Sequence, residues 1–328
     1  MTAGAFRRNT LLAAAGMGLL LAAPTTAIGE SQYPDRPIKI IVPFAAGGAV
    51  DTMARIVADK LTSEWKQPVV VENRAGASGN VGAEAVAKAE PDGYTLLISP
   101  PPPLAINQHL FANLRFDPTA FVPITVIAGA PNVLLARPGL AADSVPALIA
   151  LGKSQPGKLT YGSAGRGSTP HLSAEMLKSL AGIDMAHVAY KSVPQAVNDV
   201  VSGSIDLTFG TLVDSLGLIQ SGRLKALGVG SVQRSPALSD VPTLAETLPG
   251  YLSTTWYSAV APPKTPPAVV GKLSAAIAKA LREAEAFEKL ERLQATPILN
   301  SPSEASAFIA ADSERWRKVI IAAGLKPE

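Results

Sequence analysis

The chain has 328 residues, 47% of them hydrophobic and 17% charged, which is the composition of a globular protein large enough for two domains. Without Arg7 and Arg8, the only charged residues before Glu30, the formal net charge of +3 becomes +1, which excludes the basic surface that nucleic acids or anionic membranes require. The chain has no cysteine, so disulfides, thiol catalysis and cysteine-ligated zinc are excluded.

The first residues have the pattern of an export signal. Arg7 and Arg8 precede an apolar run, Leu11 to Ala23, that is too short to cross a bilayer comfortably. Small residues at 25–27 offer a cleavage site, and those at 22–23 offer another. We therefore expect a cleaved signal peptide over residues 1–27.

Export places a soluble, cysteine-free chain in the periplasm of a double-membraned bacterium. The twin arginines permit the twin-arginine route, but Thr10 stands where that signal usually has an apolar residue, which favours general secretion (Sec). No later segment is long and apolar enough to predict a membrane span.

Short β-rich runs alternate with segments of helical periodicity, which predicts an α/β protein with largely parallel sheets. The predicted strands are Ile38–Val42, Val69–Glu72, Leu96–Ile98, Asn132–Ala136, Leu159–Tyr161, His187–Tyr190, Leu207–Phe209 and Ala226–Gly230. The predicted helices are Val50–Leu61, Asn80–Ala89, Val145–Lys153, Ser168–Leu180, Pro194–Ser202, Ser215–Gln220, Pro267–Arg282, Glu285–Leu293 and Ser303–Ala323.

Proline clusters near residues 116–118 and 261–267 flank the middle set of strands. They predict that the chain crosses to a second lobe near residue 128 and returns near residue 254. Lobe 1 then comprises residues 28–128 and 255–328, and lobe 2 comprises residues 129–254. One division near residue 150 is the simpler alternative.

Two glycine-rich turns each lead from a predicted strand into a predicted helix. The first is Pro43–Asp51 and the second is Tyr161–Thr169. A glycine turn at a helix start directs unpaired backbone N–H groups and the positive end of the helix dipole at one spot. Such a spot holds an anion without arginine or lysine, so two of them predict a ligand gripped from two sides.

Enzyme signatures are missing from the sequence. The second turn has Pro170 where a dinucleotide fingerprint needs its third glycine, and no G-x-S-x-G motif supplies a nucleophile. His171 and Glu175 lie four residues apart, which predicts a helix-surface contact rather than a metal site. The sequence therefore indicates a binding protein with no cofactor, no metal and no catalytic residue.

The sequence resembles the solute-binding proteins of tripartite tricarboxylate transporters, the Bug-type periplasmic receptors, over essentially the whole mature chain. The matching segments are Tyr33–Ile38, Pro43–Phe44, Gly47–Gly48, Asp51–Arg55, Val71–Ala77, Pro91–Leu96, Tyr161–Ser168, His171–Leu172, Gly222–Leu227, Val241–Thr243, Trp256 and Ala261–Pro263. The resemblance implies a two-lobed periplasmic binding protein fold, type II-like, with two hinge strands, whose lobes close over a small carboxylate. It also implies membrane permease subunits as partners, or a membrane sensor as the alternative, and a monomer that binds no nucleic acid.

The resemblance and the glycine turns together assign the candidate ligand-binding residues. They are Phe44, Ala45, Gly47, Gly48, Asp51, Ser99, Ser163, Gly165, Gly167, Ser168, Thr169 and Asp206. Asp51 is expected to bond loop N–H groups, and Asp206 is either a turn residue or a pocket acceptor. Arg166 is expected to be a dispensable loop residue.

The ligand is expected to be a dicarboxylate or an aromatic acid. The sequence departs from the family pattern after Ser99, where Pro100–Pro103 replaces smaller polar residues. Four prolines predict a polyproline II segment without N–H donors, which forms either an apolar cleft wall or a rigid surface connection.

Overall fold

The computed structural model describes residues 1–2, 33–292 and 294–327. Apart from Met1 and Thr2, the predicted signal peptide, residues 1–27, lies outside the described residues. No helix in the described ranges has the length and apolarity to cross a membrane.

Ten strands and nine α-helices alternate along the described chain. The strands are β1 (Ile38–Val42), β2 (Val69–Asn73), β3 (Thr95–Ser99), β4 (Val122–Ala136), β5 (Leu159–Ser163), β6 (Met185–Ala189), β7 (Leu207–Thr211), β8 (Lys225–Val229), β9 (Thr254–Ala261) and β10 (Thr296–Pro297). The helices are α1 (Ala49–Trp65), α2 (Asn80–Ala87), α3 (Val145–Ser154), α4 (Thr169–Ala181), α5 (Val193–Ser202), α6 (Leu212–Gln220), α7 (Pro267–Leu281), α8 (Ala284–Arg292) and α9 (Pro302–Ala322).

The strands run in the order β2-β1-β3-β9-β4-β7-β5-β6, with β8 and β10 also paired to β4. β1 to β3 are parallel to one another, and β5 to β7 form a second parallel set. The expectation of a largely parallel sheet holds within each set only, because β9 and β4 join the sets by antiparallel pairing. The sequence prediction found only the end of β4 and missed β9.

The described residues form four hydrophobic cores, and the two largest surround the two parallel strand sets. One surrounds β1, β3, α1 and α7, and the other surrounds β5, β7 and α4. β4 has 15 residues and contributes to both, since its first half pairs with β9 and its second half with β7 and β8. Residue 128 therefore lies inside β4, and residue 254 begins β9.

A partly buried carboxylate attaches the last helix to β9. Asp312 Oδ2 accepts hydrogen bonds from the indole nitrogens of Trp256 (2.7 Å) and Trp316 (2.9 Å). Its Oδ1 accepts two hydrogen bonds from Arg315, at 2.9 and 2.7 Å. Both tryptophans are almost fully buried, so their N–H groups depend on this one acceptor.

Asp312→Ala should therefore destabilise the protein by about 3 kcal/mol, because it leaves two buried donors and an arginine without their acceptor. Urea unfolding followed by tryptophan fluorescence measures the change. Glu314→Ala is the matched control: this exposed carboxylate on the same helix forms ion pairs with Arg317 and Lys318, and its loss should leave the unfolding midpoint close to that of wild type because exposed ion pairs contribute little. Equal unfolding midpoints for the two variants would contradict this role of Asp312.

Candidate functional site

A cavity of about 260 Å³ lies where the two parallel strand sets face each other. It is lined by the first glycine turn, the starts of four helices and parts of both long strands. The lining residues are Phe44 to Val50, Pro100, Pro102, Asn132, Ala164, Ser168, Thr169, Pro170, Lys191 to Pro194, Thr211, Asp214, Thr255 and Tyr257.

The N-termini of α1, α4, α5 and α6 all contribute to this lining. They converge because each helix follows the carboxyl end of a parallel strand, and these ends meet along one edge of each strand set. The first N–H groups of an α-helix have no intrahelical acceptor, and the helix dipole adds partial positive charge there. The cavity is therefore suited to an anion.

Asp51 holds the first glycine turn in place. Its Oδ2 accepts the Gly47 N–H at 3.0 Å, where Gly47 has a φ of +85°. Arg55 and Asn73 donate to the same carboxylate at 3.0 Å. Burial opposes ionisation of Asp51, but the hydrogen bonds from Arg55, Gly47 and Asn73 outweigh it and keep its pKa below the ordinary value. Asp51 is buried and does not line the cavity.

The second glycine turn is braced from behind. Ser168 Oγ donates to the Gly165 carbonyl at 2.7 Å, and the Gly167 N–H donates to His171 Nδ1 at 3.3 Å. Ser163 Oγ accepts the Gly165 N–H at 3.2 Å and lies 2.7 Å from His187 Nε2. The N–H groups of Gly165 and Gly167 are therefore already hydrogen-bonded to side chains of the protein. Ser168 and Thr169 are the residues of this turn that line the cavity together with Ala164.

The cavity floor carries a small polar group. Thr211 Oγ1 donates to Asp214 Oδ2 at 2.7 Å. Burial raises the pKa of Asp214, although the Thr211 hydrogen bond opposes this shift. Burial, and then the charge of Asp214, also raise the pKa of Tyr257. Asn132 is satisfied within the protein, since it donates to Ser253 and accepts from Thr255.

Half of the predicted site residues line this cavity. They are Phe44, Ala45, Gly47, Gly48, Ser168 and Thr169. Asp51, Ser163 and Gly167 lie behind the lining, and the Ser99 hydroxyl donates to the Pro100 carbonyl at 2.9 Å. Gly165 and Arg166 line a neighbouring cavity of about 530 Å³.

Asp206 lies away from the cavity. It precedes β7, whereas Thr211, at the other end of the same strand, lines the cavity. Five residues of extended chain separate these positions by roughly 16 Å. The Asp206 carboxylate pairs with Arg137 at 2.8 Å and accepts from Thr160 at 2.9 and 3.0 Å. Asp206 is therefore the structural turn residue of the two alternatives.

The proline run forms part of the cavity wall, but its predicted conformation is wrong. Pro100 and Pro102 line the cavity, which favours the cleft wall over the surface connection. Pro101 has φ −52° and ψ −36°, and Pro102–Ile106 is a π-helical turn rather than polyproline II. Proline's φ also suits the first helical turn, where no N–H is needed, and Ala105 supplies the N–H that reaches the Pro101 carbonyl at 2.7 Å.

Several lining residues were missed from the sequence. Thr211 and Asp214 have the Thr-x-x-Asp spacing that is typical of a helix start, and this spacing in the sequence indicates that they lie at the end of a strand. Lys191 had no such signal, and it is an exposed lysine shared by the two cavities. Thr255 and Tyr257 were missed because β9 itself was missed.

The helix-surface contact predicted between His171 and Glu175 is wrong, because both side chains are buried and each bonds to other partners. Glu175 accepts from Tyr161 at 2.5 Å and from Lys178 at 3.0 Å, while His171 accepts from Gly167. In the ranges that the structure describes, no cluster of three or more histidine, aspartate or glutamate side chains could hold a metal ion.

Burial, followed by the charges of His187, Arg166 and Lys178, lowers the pKa of His171 to about 3. Between this value and the unfolded pKa of about 6.5, the unfolded chain binds the extra proton, so stability is lost as pH falls through that window. Wild type should therefore lose about 1.4 kcal/mol per pH unit more than His171→Gln below about pH 6. Urea unfolding across this range measures it, and parallel pH profiles for the two proteins would rule out a buried neutral His171.

Known proteins match this chain over nearly its whole length. The family described as tripartite tricarboxylate transporter family receptor, TctC, matches residues 53–325. The structure is similar to that of Rpa4515 from R. palustris, solved with adipate, with a TM-score of 0.86 and 36% identity over 90% of this chain and 100% of that protein.

Two further solved structures show the same similarity. Periplasmic binding protein BugD has a TM-score of 0.84 and 31% identity, covering 90% of this chain and 100% of its own. MatC from Rhodopseudomonas palustris, solved with bound malate, has a TM-score of 0.83 and 30% identity. The match covers 88% of this chain and 100% of MatC. These similarities confirm the two-lobed periplasmic binding protein fold and a solute-binding receptor rather than an enzyme. The chain belongs to the tripartite tricarboxylate transporter receptor family, whose members include the Bug proteins.

Proposed function

We propose that this protein captures a dicarboxylate or an aromatic carboxylate in the periplasm and delivers it to the membrane permease subunits of a tripartite tricarboxylate transporter. The observation that carries the proposal is the convergence of four helix N-termini on one cavity without an arginine in its lining. Charge-assisted hydrogen bonds from preorganised amides lose little entropy on binding. Adipate in Rpa4515 and malate in MatC support a carboxylate ligand.

The walls of the cavity favour a ligand with an apolar middle. Phe44, Pro100, Pro102 and Val193 contribute apolar side chains to its lining. A ring or a methylene chain gains free energy by packing against such walls, whereas each hydroxyl of a sugar acid would need a partner there. We assign ligand contact to Phe44, Ala45, Gly47, Gly48, Ser168 and Thr169, and support of the two turns to Asp51, Ser163, Gly165 and Gly167.

Export, lobes and oligomeric state follow from the same proposal. Residues 1–27 direct Sec-dependent export, and the mature protein works as a monomer. Residues 28–128 and 255–328 form one lobe and residues 129–254 the other, with β4 and β9 as the hinge. Capture then occurs when the two lobes close over the ligand.

Gly48→Val should abolish binding of adipate and of benzoate while the protein stays folded. Gly48 has φ −84°, which any residue adopts, and an added Cβ meets no atom closer than 4.0 Å. The larger side chain instead occupies cavity space beside the α1 amides. Isothermal titration calorimetry should show at least a tenfold loss of affinity.

Gly271→Val is the matched control, because it adds the same side chain on α7, away from the cavity, where a Cβ meets no atom within 4 Å. This control should bind as wild type does. Near-native affinity in Gly48→Val would contradict the placement of the site.

Ligand should make the protein more compact in small-angle scattering, because two half-sites complete one cage only when the lobes close. Ser78 and Arg166 belong to opposite proposed lobes, and Ser78 Oγ donates to the Arg166 carbonyl at 2.5 Å. Ser78→Ala removes this contact of the closed form and should weaken adipate binding about fivefold, the equivalent of one hydrogen bond. An unchanged radius of gyration at saturation would indicate a rigid cavity instead.

A further inference from the structure

Asp214 is an acidic side chain in a cavity that is otherwise built for anions. It lies in the first turn of α6 and is partly buried among the lining residues. Thr211 Oγ1 donates to its Oδ2, and no other described residue donates to the carboxylate. One of its oxygens is therefore left to interact with whatever occupies the cavity.

Among the described residues, no arginine, lysine or histidine forms an ion pair or hydrogen bond with Asp214. The strands β4 and β7, against which α6 packs, contain no charged residue. The cavity lining holds two other titratable side chains, Tyr257 on β9 and Lys191 before α5. Tyr257 is buried and carries a neutral hydroxyl. Lys191 is exposed and also lines the neighbouring cavity of about 530 Å³.

Asp214 and the second glycine turn lie at the starts of α6 and α4, which suits a ligand with two functional ends. β5 and β7 are adjacent parallel strands, so α4 and α6, which follow them, begin close together. Neighbouring helices on one sheet lie about 10 Å apart. A short-chain acid whose carboxylate meets the start of α4 therefore extends its other end toward α6.

Resting on the proposed function, we propose that Asp214 determines specificity by accepting a hydrogen bond from the distal end of the bound acid, so that this end must carry a proton. A hydroxyl or an ammonium group satisfies this requirement directly. A second carboxylate on the ligand meets this requirement only when it shares one proton with Asp214, because two adjacent ionised carboxylates repel each other. Dicarboxylates then bind with uptake of one proton from solvent, and no covalent bond changes.

Burial favours this shared proton, because it raises the pKa of Asp214 above its ordinary value before any ligand binds. The arrangement resembles other carboxyl pairs that hold one proton between them at a pH where each alone would ionise. The pH dependence of binding is therefore a property of Asp214 and the distal carboxylate of the ligand together, rather than of Asp214 alone.

The test compares hexanoate, adipate and ε-aminocaproate, which share one chain length and end distally in a methyl, a carboxylate and an ammonium group. Isothermal titration calorimetry between about pH 8 and about pH 5.5, in two buffers of different ionisation enthalpy, gives affinity and proton uptake. Wild type should bind adipate more tightly as pH falls, by up to about tenfold per pH unit, with uptake of up to one proton. Hexanoate affinity should stay flat.

Asp214→Asn is nearly isosteric and should remove the pH dependence and proton uptake of adipate binding, and weaken ε-aminocaproate binding by about tenfold relative to hexanoate. Asp240→Asn, an exposed aspartate away from the cavity, is the matched control and should behave as wild type. Circular dichroism and thermal melting confirm that both variants fold.

The proposal is overturned if wild type binds adipate without proton uptake and Asp214→Asn leaves the three affinities in the same ratio. It is also overturned if Lys191→Met, rather than Asp214→Asn, abolishes the distinction between adipate and hexanoate, because Lys191 is then the distal partner. Failure of wild type to bind hexanoate, adipate and benzoate alike would instead remove the proposed function itself.

Discussion

Unpaired backbone N–H groups are the constraint on which this protein is built. Every parallel strand that feeds a helix delivers such groups to the same edge of its strand set, and the two sets face each other across β4 and β9. Four helix N-termini therefore meet at one cavity. Without an acceptor they carry partial positive charge in a space with apolar walls, and an anion is the partner that satisfies them.

The side chains around the cavity mostly prepare these amides rather than replace them. Asp51 holds the Gly47 amide, Ser163 holds that of Gly165, and His171 holds that of Gly167. Each of these side chains is buried behind the lining and accepts a hydrogen bond from a turn whose glycine has a positive φ. Such a turn is already formed before the ligand arrives, so binding orders few groups.

The two long strands hold the main parts of the molecule together. β4 is shared by the two largest hydrophobic cores, and α9 is fixed to β9 through the Asp312 carboxylate and its two tryptophan donors. Other contacts join the two strand sets: Ser78 donates a hydrogen bond to the Arg166 carbonyl, and Trp316 of α9 packs in the same hydrophobic core as β5 and β7. Under the proposed function, β4 and β9 are the hinge about which the two lobes close.

By itself, the sequence determined the elements and the chemical character of the site. Periods of two and 3.6 residues marked β1, α1, β5 and α4 within a few residues, and the glycine turns indicated an anion site because both signals are local. Only the tertiary structure decided which polar residues reach the cavity. Asp206 and Asp214 flank the same strand and look equivalent in sequence, yet only Asp214 follows its carboxyl end, where the helix N-termini meet. That choice depends on pairing between strands far apart in the chain, which short-range patterns do not encode.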